Sequence, residues 1–406
     1  MSTRRDRVMK ALAFETPDQM PKDLSGMAST GISCFAYPKL IAALGLPPRL
    51  PRVFDTGQML ALPETDVLDA LDCDVVTVQG DRCNSAFEEP ERWHPYDFSG
   101  RLPALVMRPQ DFEPRPDGSI VQWGGATMVP ESYVFDWPHA GEILNLDTDI
   151  PHEDLDKLEK DLAAARFTDA AIASQQAYLR RVRESTDRAI LFSGLGTGLN
   201  LRGGMANFSI LCLTEPDYVH RVQDIVCRHA IAQIEAMLPA IAPYVDVVMV
   251  SADDQGTQNS PILPPAVYHE LFTPYYRRMN DAFHRVAPQV KSFLHCCGAV
   301  YDLLDSIIEA RFDAFNPVQW SAGKATYRQW KDKCRGRLAL WGGGVNTQTT
   351  LPLGSLADIR REVEEVVPYM AADGGYVFCA IHNLLAEIPP DKVIEIYRTA
   401  AAAARR

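Results

Sequence analysis

Lys291-Ser-Phe-Leu-His-Cys-Cys-Gly298 decides how this chain is read. Five extended, mostly apolar residues run into a polar, sulfur-bearing turn that a glycine ends. Helical periodicity flanks the stretch, over about 265–287 before it and 300–310 after it. The same unit recurs downstream as Phe312-Asp-Ala-Phe-Asn316, Arg337-Leu-Ala-Leu-Trp341 and Tyr376-Val-Phe-Cys-Ala-Ile381, with helices over about 324–333, 355–371 and 390–404. Upstream it recurs as Val245-Asp-Val-Val-Met-Val250, Ala189-Ile-Leu-Phe-Ser193 and Cys73-Asp-Val-Val-Thr-Val78, with helices around 153–186 and 214–239. Strands that are apolar on both faces and separated by helices imply a parallel sheet covered on both sides. Seven such strands, with one missed, predict an α/β chain folded as a (β/α)8 TIM barrel. A doubly wound open sheet is the competitor.

The rhythm breaks over about 84–150, which holds Trp93 and several prolines. Leu105-Val-Met-Arg108 and Ile120-Val-Gln-Trp123, on either side of Arg115-Pro-Asp-Gly118, read as a β-hairpin. We take this region as an insertion on a single barrel domain spanning residues 1–406, with an N-terminal extension ahead of the first strand.

Composition narrows the function classes. The 406 residues carry 53 Asp and Glu against 40 Lys and Arg, a net charge of −13. Nucleic-acid binders need a concentrated basic face, so this balance argues against one. No apolar run is long enough to span a membrane. The start, Met1-Ser-Thr-Arg-Arg-Asp-Arg, has no apolar stretch of the kind a secretory signal needs. Nine scattered cysteines suit a reducing, cytoplasmic setting, most of them as small buried hydrophobes. Neither Gly342-Gly-Gly344 nor Gly194-Leu-Gly-Thr-Gly198 is a dinucleotide fingerprint. No P-loop, nucleophile elbow or His-Glu-x-x-His occurs.

In a barrel of this type chemistry sits at the C-terminal ends of the strands. There the sequence places Asp253-Asp254 and His295-Cys296-Cys297-Gly298. An extended backbone has a period of two, so His295 and Cys297 point the same way and Cys296 points to the helix layer. Imidazole and thiolate together suit Zn2+. The last strand offers a third ligand, either Cys379 within it or His382 at its tip. Three protein ligands and an open position would make the site catalytic. Asp254 is a candidate base, substrate contact or extra ligand.

Several stretches resemble the uroporphyrinogen decarboxylase superfamily: Arg4 through Asp18, Asp254 with Pro264 through Tyr275, Phe293-Leu-His-Cys-Cys-Gly298, and Gly374-Gly-Tyr-Val-Phe with Ile388-Pro-Pro-Asp-Lys-Val393. The resemblance covers both ends and most of the second half. It implies a (β/α)8 barrel and one of two chemistries. The decarboxylase branch holds substrate carboxylates with an arginine-bearing N-terminal segment. Here that stretch reads Pro21-Lys-Asp-Leu-Ser-Gly-Met-Ala-Ser-Thr30, without arginine. Asp74 is similar in position to that branch's catalytic Asp. The other branch, the cobalamin-dependent methyltransferases, binds zinc through His-x-Cys and a late Cys. His295 and Cys297 match that motif. Position favours His382 for the third ligand, with Cys379 three residues earlier as the alternative.

The resemblance therefore implies a zinc-dependent methyltransferase. It would move a methyl group between a small O- or S-methyl compound, or a thiol, and cobalamin on a separate corrinoid protein. Asp254 and Asp74 would be catalytic. Gln258, Asn316, Gln319, Trp341 and Gly343 would contact substrate. Homodimerisation is a family expectation. The alternatives are a metal-independent decarboxylase or lyase, and a non-catalytic tetrapyrrole- or corrinoid-binding protein.

Overall fold

Among the described residues, seven parallel strands follow one another in chain order, each hydrogen-bonded to the next. They are β1 (Val75–Gln79), β2 (Ala189–Ser193), β3 (Val247–Ala252), β4 (Lys291–His295), β5 (Ala314–Asn316), β6 (Ala339–Trp341) and β7 (Tyr376–Val377). The computed structural model describes residues 2–80, 83–137, 150, 152–199 and 204–404.

Two rows of side chains alternate along these strands, as the pleat requires. Val75, Leu191, Val247, Phe293, Ala314, Ala339, Trp341 and Val377 face inward and form one apolar cluster. Val76, Ile190, Val248, Leu294, Phe315 and Leu340 face outward and join the larger core under the helices. Near-continuous apolar runs such as Ala189–Ser193 are the sequence signature of such strands, because both faces are covered.

The sheet's two edges, β1 and β7, are joined by residues 21–23. Phe378 N–H donates to Pro21 O at 2.9 Å, and Asp23 N–H donates to Phe378 O at 2.8 Å. On the other side Asp74 N–H donates to Lys22 O at 2.7 Å. This short segment takes the place of the eighth strand and closes the ring. It carries a proline and makes only an isolated bridge, so no strand pattern marks it.

Helix α1 (Arg4–Leu12) plugs the N-terminal mouth. Thr3 and Asp6 form a capping box at its start. Its Val8 and Leu12 enter the inner cluster. Arg5 pairs with buried Asp246 at 2.5 Å, and Arg7 with buried Asp74 at 3.1 Å. Both aspartates immediately precede their strands, so these pairs lie at the pole opposite the strand C-termini.

The expected helices are present with breaks. The one predicted over 265–287 divides at Phe272 into Pro265–Leu271 and Thr273–Val286, and that over 153–186 divides into Leu155–Ala164 and Asp169–Ser185. The predicted hairpin is corrected. Ile120–Gln122 does turn back around Arg115-Pro-Asp-Gly118, but its partner is Phe112–Pro114. Leu105 instead pairs with Pro95 in a separate hairpin, His94–Asp97 with Pro103–Val106. Phe112-Glu-Pro114 is too short, and too proline-marked, to be read as a strand. Residues 138–149 of the expected insertion lie outside the described residues. Among the described residues no helix is long and apolar enough to cross a membrane.

Candidate metal centre

Strand β4 ends at His295, and the chain continues extended for two residues, so His295 and Cys297 project side by side. His295 Nε2 and Cys297 Sγ are 3.2 Å apart. His382 joins them from beyond β7, and the three potential donor atoms lie within 4.8 Å of one another. The two imidazole centroids are 6.0 Å apart.

Cys379 does not join this group. It is buried in the inner apolar cluster with Val377 and Trp341. Period-two alternation continues from Val377 to Cys379, which keeps Cys379 inside the barrel. The loop then climbs over Val345, through Ile381 N–H to Val345 O at 3.1 Å, and lifts His382 to the level of His295. Cys296 is buried on the helix side, where its sulfur accepts from Gln255 N–H.

The three side chains suit a divalent metal of borderline softness, two nitrogens and one sulfur being a zinc-type donor set. Burial pushes both imidazoles toward the neutral form that ligation requires. His295 is lowered by desolvation, and His382 is lowered to about 4 by desolvation and then by His295. Burial also raises the Cys297 thiol, as does Asp254. In the absence of a cation the group therefore carries little charge, and a bound dication would favour the thiolate.

Asp254 stands at the same rim. Its Oδ1 accepts from Cys297 N–H at 2.9 Å and lies 3.6 Å from His295 Nε2, and its side chain is half exposed. The loops carrying Asp254 and Cys297 touch through two glycines. A Cβ on Gly298 would meet Gly256 O at 2.2 Å, and Gly298 has φ +93. A cavity of about 430 Å³ opens beside His295 and His382. Met27, Ala28, Met249 and Ala252 give it apolar walls, and Ser29, Gln58 and Asp254 its polar groups. A cleft of about 470 Å³ lies between Phe54 and the insertion residues Arg92, His94, Arg108 and Phe112, and contains none of these groups.

The remaining candidates fall in three places. Asn316 and Trp341 lie beneath His295: Asn316 Oδ1 is 2.6 Å from His295 Nδ1, and Asn316 Nδ2 donates to Trp341 O at 2.9 Å. Gln319 supports the ligand loop, its Oε1 accepting from Gly298 N–H at 2.8 Å. Gln258 is exposed and bonded to Gln348, and Gly343 O accepts from the Trp320 indole, so both brace loops. Asp74 stands away from the group altogether. Preceding β1, it is bound by Arg7 and by Lys22 N–H at 2.9 Å, and burial raises it to about 6. Its expected catalytic placement is thus corrected to an anchoring one at the opposite pole.

The sequence reading missed Ser29, Gln58 and Asp23. Ser29 Oγ donates to Asn316 Oδ1 at 3.1 Å, and Gln58 Oε1 accepts from Asn383 Nδ2 at 2.8 Å. Asp23 accepts from the Trp341 indole at 2.8 Å. These residues lie in irregular segments far from β4 in sequence, and only the Pro21–Thr30 stretch carried any signal.

Comparison with known proteins agrees with this architecture. A methyltransferase from Methanosarcina mazei superposes with a TM-score of 0.51 at 16% identity, covering 100% of this chain and 99% of that one, which is a likeness of fold. The uroporphyrinogen decarboxylase of Syntrophotalea carbinolica is 26% identical over 180 residues, 43% of this chain and 46% of that protein, so the match spans less than half of the relative. Residues 163–402, more than half of the chain, match the family pattern of uroporphyrinogen decarboxylase (URO-D) and hold β2 through β7 with all three donors. The chain belongs to the uroporphyrinogen decarboxylase family.

Proposed function

We propose that this protein is a zinc-dependent methyltransferase that moves a methyl group between a small O- or S-methyl compound, or a thiol, and cobalamin on a separate corrinoid protein. The observation that carries the reading is the convergence of His295, Cys297 and His382, two of which, His295 and His382, line an open cavity. Zinc bound there would supply a Lewis acid that makes a thiol or phenol a good nucleophile, or a good leaving group, near neutral pH.

The chain's own groups supply the rest. His295, Cys297 and His382 would hold the zinc, with His295 and His382 lining the cavity. Asp254, at the rim, is placed to take or return the proton of the reacting sulfur or oxygen. Ser29 and Gln58 orient the small compound, while Met27, Met249 and Ala252 exclude water around the methyl group. The cavity opens to the surface, which suits delivery of a corrinoid from another protein, and a homodimer would follow the family pattern.

The competing decarboxylase reading needs cations for a polycarboxylate. Among the described residues lining the cavity none is Arg or Lys. Lys22, the only cation in the 21–30 stretch, is buried and pairs with Asp72 at 2.8 Å. The test is methyl transfer from a methylated corrinoid protein to 2-mercaptoethanol, followed by the corrinoid absorbance. We expect turnover that chelation abolishes and zinc restores. Chelator-insensitive turnover, or decarboxylation of uroporphyrinogen instead, would contradict the proposal.

A further inference from the structure

We propose that Asn316, at the end of β5, is a positioning residue for His295 rather than a substrate contact, fixing the imidazole with its proton on Nδ1 and its lone pair on Nε2. This rests on the metal-centre reading above and deepens it.

Three contacts set the orientation of the Asn316 amide. Its Nδ2 lies 2.9 Å from the Trp341 carbonyl oxygen, which can only accept. That end is therefore the NH2, and Oδ1 faces His295 Nδ1 at 2.6 Å. Ser29 Oγ approaches the same Oδ1 at 3.1 Å, as a hydroxyl donor would. Flipping the amide would set Oδ1 against the Trp341 carbonyl, two acceptors facing each other, inside a buried site. With the amide fixed, Nδ1 must carry the proton, because an unprotonated Nδ1 would oppose Oδ1 lone pair to lone pair. Nε2 then holds the free lone pair and faces Cys297 Sγ at 3.2 Å, where a thiol can donate to it in the cation-free protein.

The support continues downward. The Trp341 indole donates to Asp23, and its ring meets Phe293 edge-on with centroids 5.4 Å apart. Phe293 and His295 lie on the same face of β4. His295 is thus held from Asn316 on one side and along its own strand on the other. A neutral amide does what a carboxylate often does behind a metal-bound histidine, but it adds no charge to the centre.

The first test reads the tautomer in chelator-treated full-length protein labelled with 15N-histidine, His295 being assigned by its loss in His295→Gln. We expect the Nδ1–H pattern. An Nε2–H or averaged pattern would overturn the proposal without touching zinc binding. The second test measures zinc affinity by competition with a chromophoric chelator. We expect Asn316→Leu to weaken zinc about 10–100-fold and Asn316→Asp to stay within about threefold of wild type. Unchanged affinity in Asn316→Leu would overturn the assigned role. Should Asn316→Leu fail to fold, the wild-type tautomer decides. A wild type with Nδ1–H that binds no zinc would instead overturn the metal centre and, with it, the purpose assigned to Asn316.

Discussion

At the residue scale, a side chain's role follows from which end of a strand it occupies. His295 ends β4 and Asp74 precedes β1, so they stand at opposite poles of one barrel. Asp74 anchors the closing segment through Lys22 N–H and pairs with Arg7 of α1. Truncation by Asp74→Ala leaves that buried N–H without a partner, which costs about 2 kcal/mol. We expect denaturant unfolding to register this loss while zinc content stays at the wild-type level. A drop in zinc content at unchanged folding would contradict the placement of Asp74 at the opposite pole from the donors.

Asp23 behaves differently with pH. Its carboxyl is wholly buried, and desolvation raises it from 3.8 to about 6 despite bonds from Trp341, Thr30 and Gly26. A raised folded-state pKa in an acid means the folded state holds the proton more tightly than the unfolded one. Stability contributed by this group is therefore fully present below about pH 4 and falls as pH rises through about 6. The shift corresponds to about 3 kcal/mol. We expect the unfolding free energy of Asp23→Asn relative to wild type to improve by up to that amount between pH 4 and pH 7.5. A pH-independent difference would contradict the buried carboxyl.

At the scale of elements, the ligand loop exists because two glycines allow it. Gly298 combines φ +93 with a Cβ position 2.2 Å from Gly256 O. Gly298→Ala should cost about 3 kcal/mol from the left-handed backbone and the backbone collision together. It should also part Cys297 N–H from Asp254, so zinc affinity should fall with stability. A variant with wild-type zinc affinity would show that the Asp254 contact plays no part in shaping the centre.

The same scale explains what the sequence could and could not convey. Lys291–His295 and Ala189–Ser193 were readable to the residue because continuous apolar runs fill both faces of a covered strand. Residues 21–23 were not, since a proline and a single bridge leave no periodic mark although the segment closes the ring. The residues alone left Cys379 and His382 both open, and only the resemblance favoured His382. The choice depends on β7 ending at Val377 and on the loop that follows, and the period-two pattern stops short of that loop. His295 and Cys297 could be paired from sequence because both belong to one extended segment. Ser29 and Asp23 could not, because their contacts with β5 and β6 span about three hundred residues of chain.

At the scale of the whole molecule, the barrel is held by its two apolar layers and by the α1 plug, with the three donors standing above the inner layer. The metal should therefore add to a fold that exists without it. Zinc at a free concentration one hundred times its dissociation constant adds about 2.7 kcal/mol. We expect chelation to lower Tm by a few degrees while far-UV circular dichroism and a cooperative transition persist. Loss of the helical signal on chelation would mean instead that the metal is structural.

The most direct measurement is zinc K-edge X-ray absorption on the reconstituted protein. We expect one equivalent of zinc with a single sulfur at about 2.3 Å and two imidazole nitrogens at about 2.0–2.1 Å, the sulfur lost in Cys297→Ser and unchanged in Cys379→Ser. Two sulfur neighbours, or a sulfur lost in Cys379→Ser, would contradict the centre formed by His295, Cys297 and His382.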